Sequence, residues 1–253
     1  MTSFYIFACL FGMREDNAAW FRLHEAVCVG HLLKLHEPSA YESLERDEQE
    51  RRLRAYWLLA ITERAYALQR GHSLGFRGHP LATTNHLRKK FKLNEFDDFP
   101  NLQLKLFDYV DEVFLDCWNG RCRGRACKNL NTEKAIRLYE SFMEDYDKQD
   151  EEGESEADKA RQKQSNGDKQ WKSEYERKKV QKADLNVTRQ WLLNRLWLTC
   201  LSHGLISVDS PHQPLKADHA VDIARRTLRI VEVRAGAFLL LGAQLTSSIT
   251  LRN

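Results

Sequence analysis

The sequence has little glycine and proline, no excess of one charge and no long hydrophobic run. Its 253 residues include 12 glycines and 5 prolines, roughly half of ordinary usage. A sandwich or barrel needs many tight turns, so this scarcity excludes a turn-rich β architecture. Because 42% of the residues are hydrophobic and 10% aromatic, the chain can still bury a sizeable core. We therefore predict an irregular all-α fold of roughly seven to nine helices.

The charges nearly cancel, with 39 Lys and Arg against 36 Asp and Glu and a net charge of +3. A chain without a global basic field has little electrostatic attraction for nucleic acid. The apolar N-terminus lacks the basic segment and the cleavage site of a signal peptide. The apolar run 235–243 is shorter than the ~20 residues that span a bilayer. We expect no DNA-sequence reading by this chain alone, no secretion and no membrane partner.

One segment, 147–182, is almost entirely polar and contains ten acidic and ten basic residues. Acidic residues dominate its first third, and basic residues dominate the rest. A stretch of this composition cannot bury enough apolar surface to offset the entropy lost on ordering. We predict that its first half is disordered and that its basic half could extend the next helix. The alternative is a nuclear-import or nucleic-acid patch at 169–182. The predicted organisation is one helical domain, formed by 1–146 and 183–253, interrupted by this linker.

Elsewhere, apolar residues recur at the spacing of amphipathic helices. We predict a helix that begins at Asp16 as its N-cap and ends before Pro38, where the residue before proline disfavours helical backbone. A long second helix is predicted to stop at Gly71. Its apolar stripe consists of Leu53, Trp57, Ile61, Ala65 and Leu68, so we predict that Trp57 is buried in the core. Further helices are predicted at 102–115, 132–146, 187–201 and 218–231.

Motifs that would indicate an enzyme are scarce. The sequence has no glycine-rich phosphate loop, no G-x-S-x-G and no kinase signature. On a helix, His24, Cys28 and His31 would share one face and could hold Zn²⁺. The alternative, which we prefer, makes Cys28 a small core residue with the histidines at the helix edge.

Three further cysteines, Cys117, Cys122 and Cys127, are evenly spaced in an arginine-rich stretch. They could bind zinc or react through lowered pKa values, and the basic stretch 121–128 could contact phosphate. However, no C-x-x-C pair occurs and no fourth ligand is evident nearby, so a loop with incidental thiols is the preferred interpretation. The sequence thus assigns no catalytic, cofactor-binding or metal residue. Two alternatives to a regulatory protein stay open: an all-α enzyme that uses Cys and His chemistry, and a helical scaffold or adaptor without a ligand.

Two charged residues, Glu63 and Arg64, lie within a strongly apolar helical stretch. A buried charge must be paired, so we predict that both bind neighbouring or facing groups. A ligand-sensing role for the pair is the second hypothesis.

Four segments of the first half resemble the middle homology region of fungal zinc-cluster transcription factors. That family couples a helix end of the form d-L-G-L-H to a helix E-x-R-R-R-x-W-x-x-x-x-x-D-R and a loop carrying G-R-P. Here L-K-L-H at 33–36 matches the first and R-R-L-R-A-Y-W at 51–57 the second. Glu63-Arg64 replaces Asp-Arg, and R-G-H at 70–72 together with R-G-H-P at 77–80 replaces the compact loop. The resemblance covers about 1–145 and 180–232. Through W-L-L at 57–59, I-T-E-R-A-Y-A-L-Q at 61–69 and Q-W-L-L-N-R-L-W at 190–197, it is greatest to the branch of starch and maltose regulators.

The resemblance implies a nuclear regulatory domain that responds to an inducer or to partner proteins of the transcriptional machinery. The family reads DNA through a six-cysteine binuclear zinc cluster, and the six cysteines here, at 9, 28, 117, 122, 127 and 200, do not have its spacing. Zinc is therefore expected only in that absent module. The chain resembles a fragment, a truncated product, or a regulator that has lost its DNA-binding part.

Overall fold

The computed structural model describes residues 1–91, 98–144 and 169–230, with side chains placed except at 88, 90–102 and 169–176. Over these ranges the chain forms nine α-helices and no strand, only an isolated bridge between Ser207 and Lys216. The prediction of an all-α fold is confirmed. The expected disorder at 147–168 falls outside the described residues.

The chain divides into two compact units, Met1–Leu130 and Asn131–Asn253. The first unit contains α1 (Thr2–Gly12), α2 (Asp16–Leu32), α3 (Arg46–Arg70), α4 (Pro80–Phe91), α5 (Asp98–Asp108) and α6 (Glu112–Trp118). The second unit contains α7 (Thr132–Met143), α8 (Lys169–Ser202) and α9, which covers 219–230. None of the described helices is both long and apolar enough to cross a membrane.

Helix α3 is the centre of the first unit. Its buried residues are Gln49, Leu53, Tyr56, Trp57, Leu59, Ala60, Glu63, Arg64, Tyr66, Ala67 and Leu68. Helix α2 packs on it through an apolar stripe that contains Leu23, Val27 and Gly30, all of which are buried. As predicted, α3 ends at Gly71, whose φ of 74° is the left-handed conformation of a helix C-cap.

Some helix boundaries differ from the sequence prediction. Glu15, rather than Asp16, is the N-cap of α2, and the Asp16 carboxylate instead pairs with Arg70 at 2.6 Å. The single helix predicted at 102–115 is two helices, because the side chain of Asp111 accepts a hydrogen bond from the Phe114 N–H at 2.6 Å and starts α6. Helix α4 was not predicted.

The second unit is built on α7 and α8. Helix α8 begins at Lys169, so the described part of the basic half of the charged segment is helical, as the extension hypothesis proposed. Buried Arg189 of α8 donates through Nε to the Phe142 carbonyl at 2.7 Å and through Nη1 to Asn186 at 2.7 Å. The first of these bonds connects α8 to the last turn of α7, and the second lies within α8.

Helix α2 ends in a left-handed turn at a residue that is not glycine. Lys34 has a φ of 54°, and the Leu35 N–H donates to the Gly30 carbonyl at 3.0 Å, which is the bond pattern of a Schellman motif. A side chain in this conformation costs about 1–2 kcal/mol. We therefore expect Lys34→Gly to raise the free energy of unfolding by about 1 kcal/mol, measured by urea denaturation.

Lys34→Ala is the matched control for this substitution. It also removes the exposed ion pair with Glu37, at 3.3 Å, but it keeps a side chain on the left-handed residue. Equal stabilisation by alanine and by glycine would contradict the backbone explanation.

Candidate functional site

Only part of the preferred interpretation of the histidine and cysteine pattern on α2 fits the structure: His24 is exposed and His31 half-buried, as expected of residues at the helix edge. Cys28 is exposed, so the prediction of a small core residue was wrong. The ring of His31 stacks on Phe76 at a centroid distance of 4.5 Å, and the ring of His24 lies 5.4 Å from Trp20. These contacts give both histidines an aromatic neighbour and a packing role.

Glu63 is completely buried on α3, and its carboxylate binds backbone groups of the loop that follows the helix. Oε1 accepts the Gly75 N–H at 2.6 Å, and Oε2 accepts the Phe76 N–H at 3.0 Å. Burial raises the pKa of Glu63, and these two N–H donors oppose that increase. The carboxylate thereby fixes the loop against the helix.

Arg64 is also completely buried. Its guanidinium donates to backbone carbonyls of two segments, the loop after α3 and the connection between α5 and α6. Nη2 donates to the Gly78 carbonyl at 2.7 Å, and Nε donates to the Val110 carbonyl at 3.1 Å. Burial lowers the pKa of Arg64, but a guanidinium stays charged in proteins. We call Glu63, Arg64 and the loop 75–78 that they bind the buried clamp.

The buried clamp distinguishes the two hypotheses for Glu63 and Arg64, which are structural pairing and ligand sensing. The prediction that the two charges bind neighbouring groups is confirmed, since each has at least two backbone partners within its own unit. Three hydrogen bonds between these buried side chains and the backbone of 75–78 stabilise one loop conformation, and a fourth binds Arg64 to Val110. The geometry therefore favours structural pairing over ligand sensing.

The cysteines that follow α6 do come together. Cys117 is at the end of α6, and the chain then turns at Gly120 and Gly124, whose φ values are 67° and 55°. These turns return the chain, so that the sulfurs of Cys117, Cys122 and Cys127 lie within 4.8 Å of one another. The Cys117 and Cys127 sulfurs are 3.7 Å apart.

The environment of Cys117 does not activate its thiol. Burial raises the pKa of Cys117, and the hydrogen bond with Cys127 raises it further. Since the thiolate is the nucleophile, a raised pKa disfavours covalent catalysis by Cys117. The three sulfurs are instead arranged as a set of soft metal ligands. The even spacing of the three cysteines in the sequence did not reveal that their sulfurs lie close together.

A second cluster that the sequence analysis missed surrounds His219 in the second unit. This ring is 2% exposed and lies 5.3 Å from the ring of Tyr139. Among the described residues, neither ring nitrogen has a hydrogen-bond partner. Its neighbours form a small apolar pocket lined by Ala135, Tyr139, Leu193, Leu196, Trp197, Cys200, Pro214 and Leu215.

The buried His219 predicts how stability depends on pH. Burial lowers the pKa of His219 below its ordinary value of 6.5, and Arg226 lowers it further. As the pH falls through 6.5, the unfolded state takes up a proton that the folded state resists, so stability is lost on acidification. We expect His219→Leu to lose less stability than the wild type between about pH 7.5 and about pH 5.5. Urea denaturation of both proteins at both pH values measures this; parallel losses would contradict the prediction.

Comparison with known proteins yields no relative: no family model, no curated protein and no solved structure matches this chain.

Proposed function

We propose that the chain is a regulatory domain of a fungal zinc-cluster transcription factor, without the DNA-binding module. It acts in the nucleus and controls transcription of a metabolic pathway or gene cluster by RNA polymerase II. Its partners are regulatory proteins or the transcriptional machinery, with a small-molecule inducer as the signal. It is not an enzyme and does not itself read DNA sequence.

The buried clamp is the observation that carries this proposal. The helix motif and the loop motif are separate segments 12 to 14 residues apart, and the helix binds the loop: Glu63 accepts from Gly75 and Phe76, just before the R-G-H-P motif, and Arg64 donates to Gly78 within it. The acidic and basic residues of the family's helix motif would thus hold the loop motif in place. The glycine of that loop motif fits separately, because Gly78 has a φ of 74°, which favours glycine. A resemblance made of unrelated surface residues would not have this physical connection.

The end of α2 provides independent support. Lys34 occupies the glycine position of the family's L-G-L-H motif, and its φ of 54° is the conformation that glycine adopts without strain. Leu35, the next residue of the motif, is buried, and its carbonyl accepts a hydrogen bond from the Tyr41 hydroxyl at 2.6 Å. The motif therefore corresponds to a helix terminus with a required left-handed residue.

A reporter assay in a fungal host tests the proposal. The full chain is fused to a six-cysteine zinc-cluster DNA-binding module whose recognition site precedes a reporter gene. Cells are grown on glucose or on maltose, and the module alone serves as the control. We expect the fused chain to change reporter transcription relative to the module alone, and the change to depend on the carbon source.

Two measurements make a negative result informative. Immunoblotting checks that fusion and module accumulate equally, and fluorescence microscopy checks that both are nuclear. Reporter output equal to that of the module on both carbon sources, at equal nuclear levels, would contradict a regulatory role. Sequence-selective DNA binding by the unfused chain in a gel-shift assay would contradict the absence of DNA reading.

A further inference from the structure

The spacing of the three sulfurs in the first unit fits a single tetrahedral metal ion. Zinc–sulfur bonds are about 2.3 Å long, which places two sulfurs of a tetrahedral site about 3.8 Å apart. The Cys117 and Cys127 sulfurs are 3.7 Å apart. All three sulfurs lie within 4.8 Å of one another, so small side-chain rotations would bring Cys122 to the same distance.

The loop also provides the surroundings that a thiolate site needs. The Asn129 N–H donates to the Cys127 sulfur at 3.3 Å, and hydrogen bonds of this kind orient and stabilise ligating sulfur. Arg121 holds the loop in place, since its Nη2 donates to the carbonyl of Gly71 at 2.9 Å, at the end of α3. The cluster is thus positioned by hydrogen bonds between side chains and backbone groups that do not depend on a metal.

Charge favours a cation with thiolate ligands at this position. Three thiolates and one Zn²⁺ have a net charge of −1. The surrounding loop carries four basic side chains, at 121, 123, 125 and 128, which offset that charge. Soft thiolate ligands in a tetrahedral arrangement select zinc over the harder cations magnesium and calcium.

We propose that Cys117, Cys122 and Cys127 bind one Zn²⁺ ion through their sulfurs, with a nitrogen or oxygen ligand in the fourth position. The ion fixes the loop from the end of α6 to Asn129. This site is separate from the zinc cluster of a DNA-binding module, and it revises the expectation that zinc belongs only to that module. The inference does not depend on the proposed regulatory function.

Metal titration of the full chain tests the site. The reduced protein is stripped with a chelator, and Zn²⁺ is then added in competition with a chromophoric chelator. We expect one equivalent to bind. Co²⁺ in its place should give the visible spectrum of a tetrahedral ion and a thiolate charge-transfer band, and X-ray absorption should count three sulfur ligands.

Single serine variants assign the ligands. Changes outside the ligand shell already weaken metal affinity by about 10–100-fold, so loss of a ligand in Cys122→Ser or Cys127→Ser should weaken it by at least about 100-fold. Cys28→Ser, at an exposed position of α2, is the control and should bind as the wild type does. Because Cys117 is buried and Cys117→Ser could fail to fold, the two half-buried positions carry the test, with circular dichroism to verify their fold.

Several outcomes would overturn the proposal. These are substoichiometric binding, a Co²⁺ spectrum without thiolate bands, or equal loss of affinity in Cys28→Ser. A disulfide between Cys117 and Cys127 in the stripped protein, together with no zinc affinity after reduction, would assign redox chemistry to the cluster and also overturn it.

Discussion

Arg64→Ala is expected to lower the free energy of unfolding by about 3–5 kcal/mol. The guanidinium is fully buried and donates to the carbonyls of Gly78 and Val110. Its removal leaves both carbonyls without a partner and leaves the buried Glu63 carboxylate without its neighbouring cation. Since whole domains are stable by about 5–15 kcal/mol, much of the protein should be unfolded at 37 °C.

Two variants separate the contribution of the guanidinium from that of charge in general. Arg54→Ala removes an exposed arginine of the same helix, and its effect should stay within about 0.5 kcal/mol. Arg64→Lys keeps the positive charge but lacks the fork of donors that reaches two carbonyls, so it should recover only part of the loss. Urea denaturation followed by circular dichroism measures all three. A loss below about 1 kcal/mol in Arg64→Ala would show that the clamp contributes little.

The clamp shows where sequence reasoning succeeds and where it stops. Glu63 and Arg64 are predicted to be paired because charges within an apolar helical stretch cannot be buried alone. Their partners are backbone groups up to 46 residues away along the chain. Main-chain donors and acceptors are identical at every residue, so no sequence pattern distinguishes the ones that a buried ion will bind.

The misplaced helix boundaries have a local cause. Apolar periodicity continues through 102–115, and it therefore predicts one helix there. The Asp111 side chain nevertheless competes for the Phe114 N–H and starts a new helix. On α2, the buried stripe passes through Val27 and leaves the adjacent Cys28 exposed, although its residue type is among those most often buried.

The convergence of Cys117, Cys122 and Cys127 depends on backbone dihedral angles that residue spacing does not specify. Gly120 and Gly124 adopt left-handed φ values, but a glycine is compatible with many conformations. The same sequence with other dihedral angles would place the thiols far apart. The absence of a C-x-x-C pair favours the interpretation of incidental thiols. However, a C-x-x-C pair is only one of several sequence spacings that can place sulfurs around a metal.

Trp57→Ala is expected to cost about 3–5 kcal/mol, through lost apolar burial and the cavity left in the core. The prediction that Trp57 is buried is confirmed, because its side chain is 5% exposed and belongs to the main core cluster of the first unit. Its indole Nε1–H also donates to the Thr84 hydroxyl of α4 at 3.1 Å. The substitution therefore removes both apolar contacts and a connection between α3 and α4.

Matched variants separate these two contributions. Thr84→Val leaves the tryptophan in place but leaves its buried N–H without an acceptor, which should cost about 1–3 kcal/mol. Leu58→Ala, at the 40% exposed neighbouring position, is the control for truncation on the same helix and should cost much less than Trp57→Ala. Suppose that the free energy of unfolding of Trp57→Ala is within about 0.5 kcal/mol of the wild-type value, yet carbon-source-dependent reporter output is abolished. Trp57 then contacts a partner, and the core assignment is wrong. If stability and reporter output decline together, the loss of regulation follows from unfolding of the first unit.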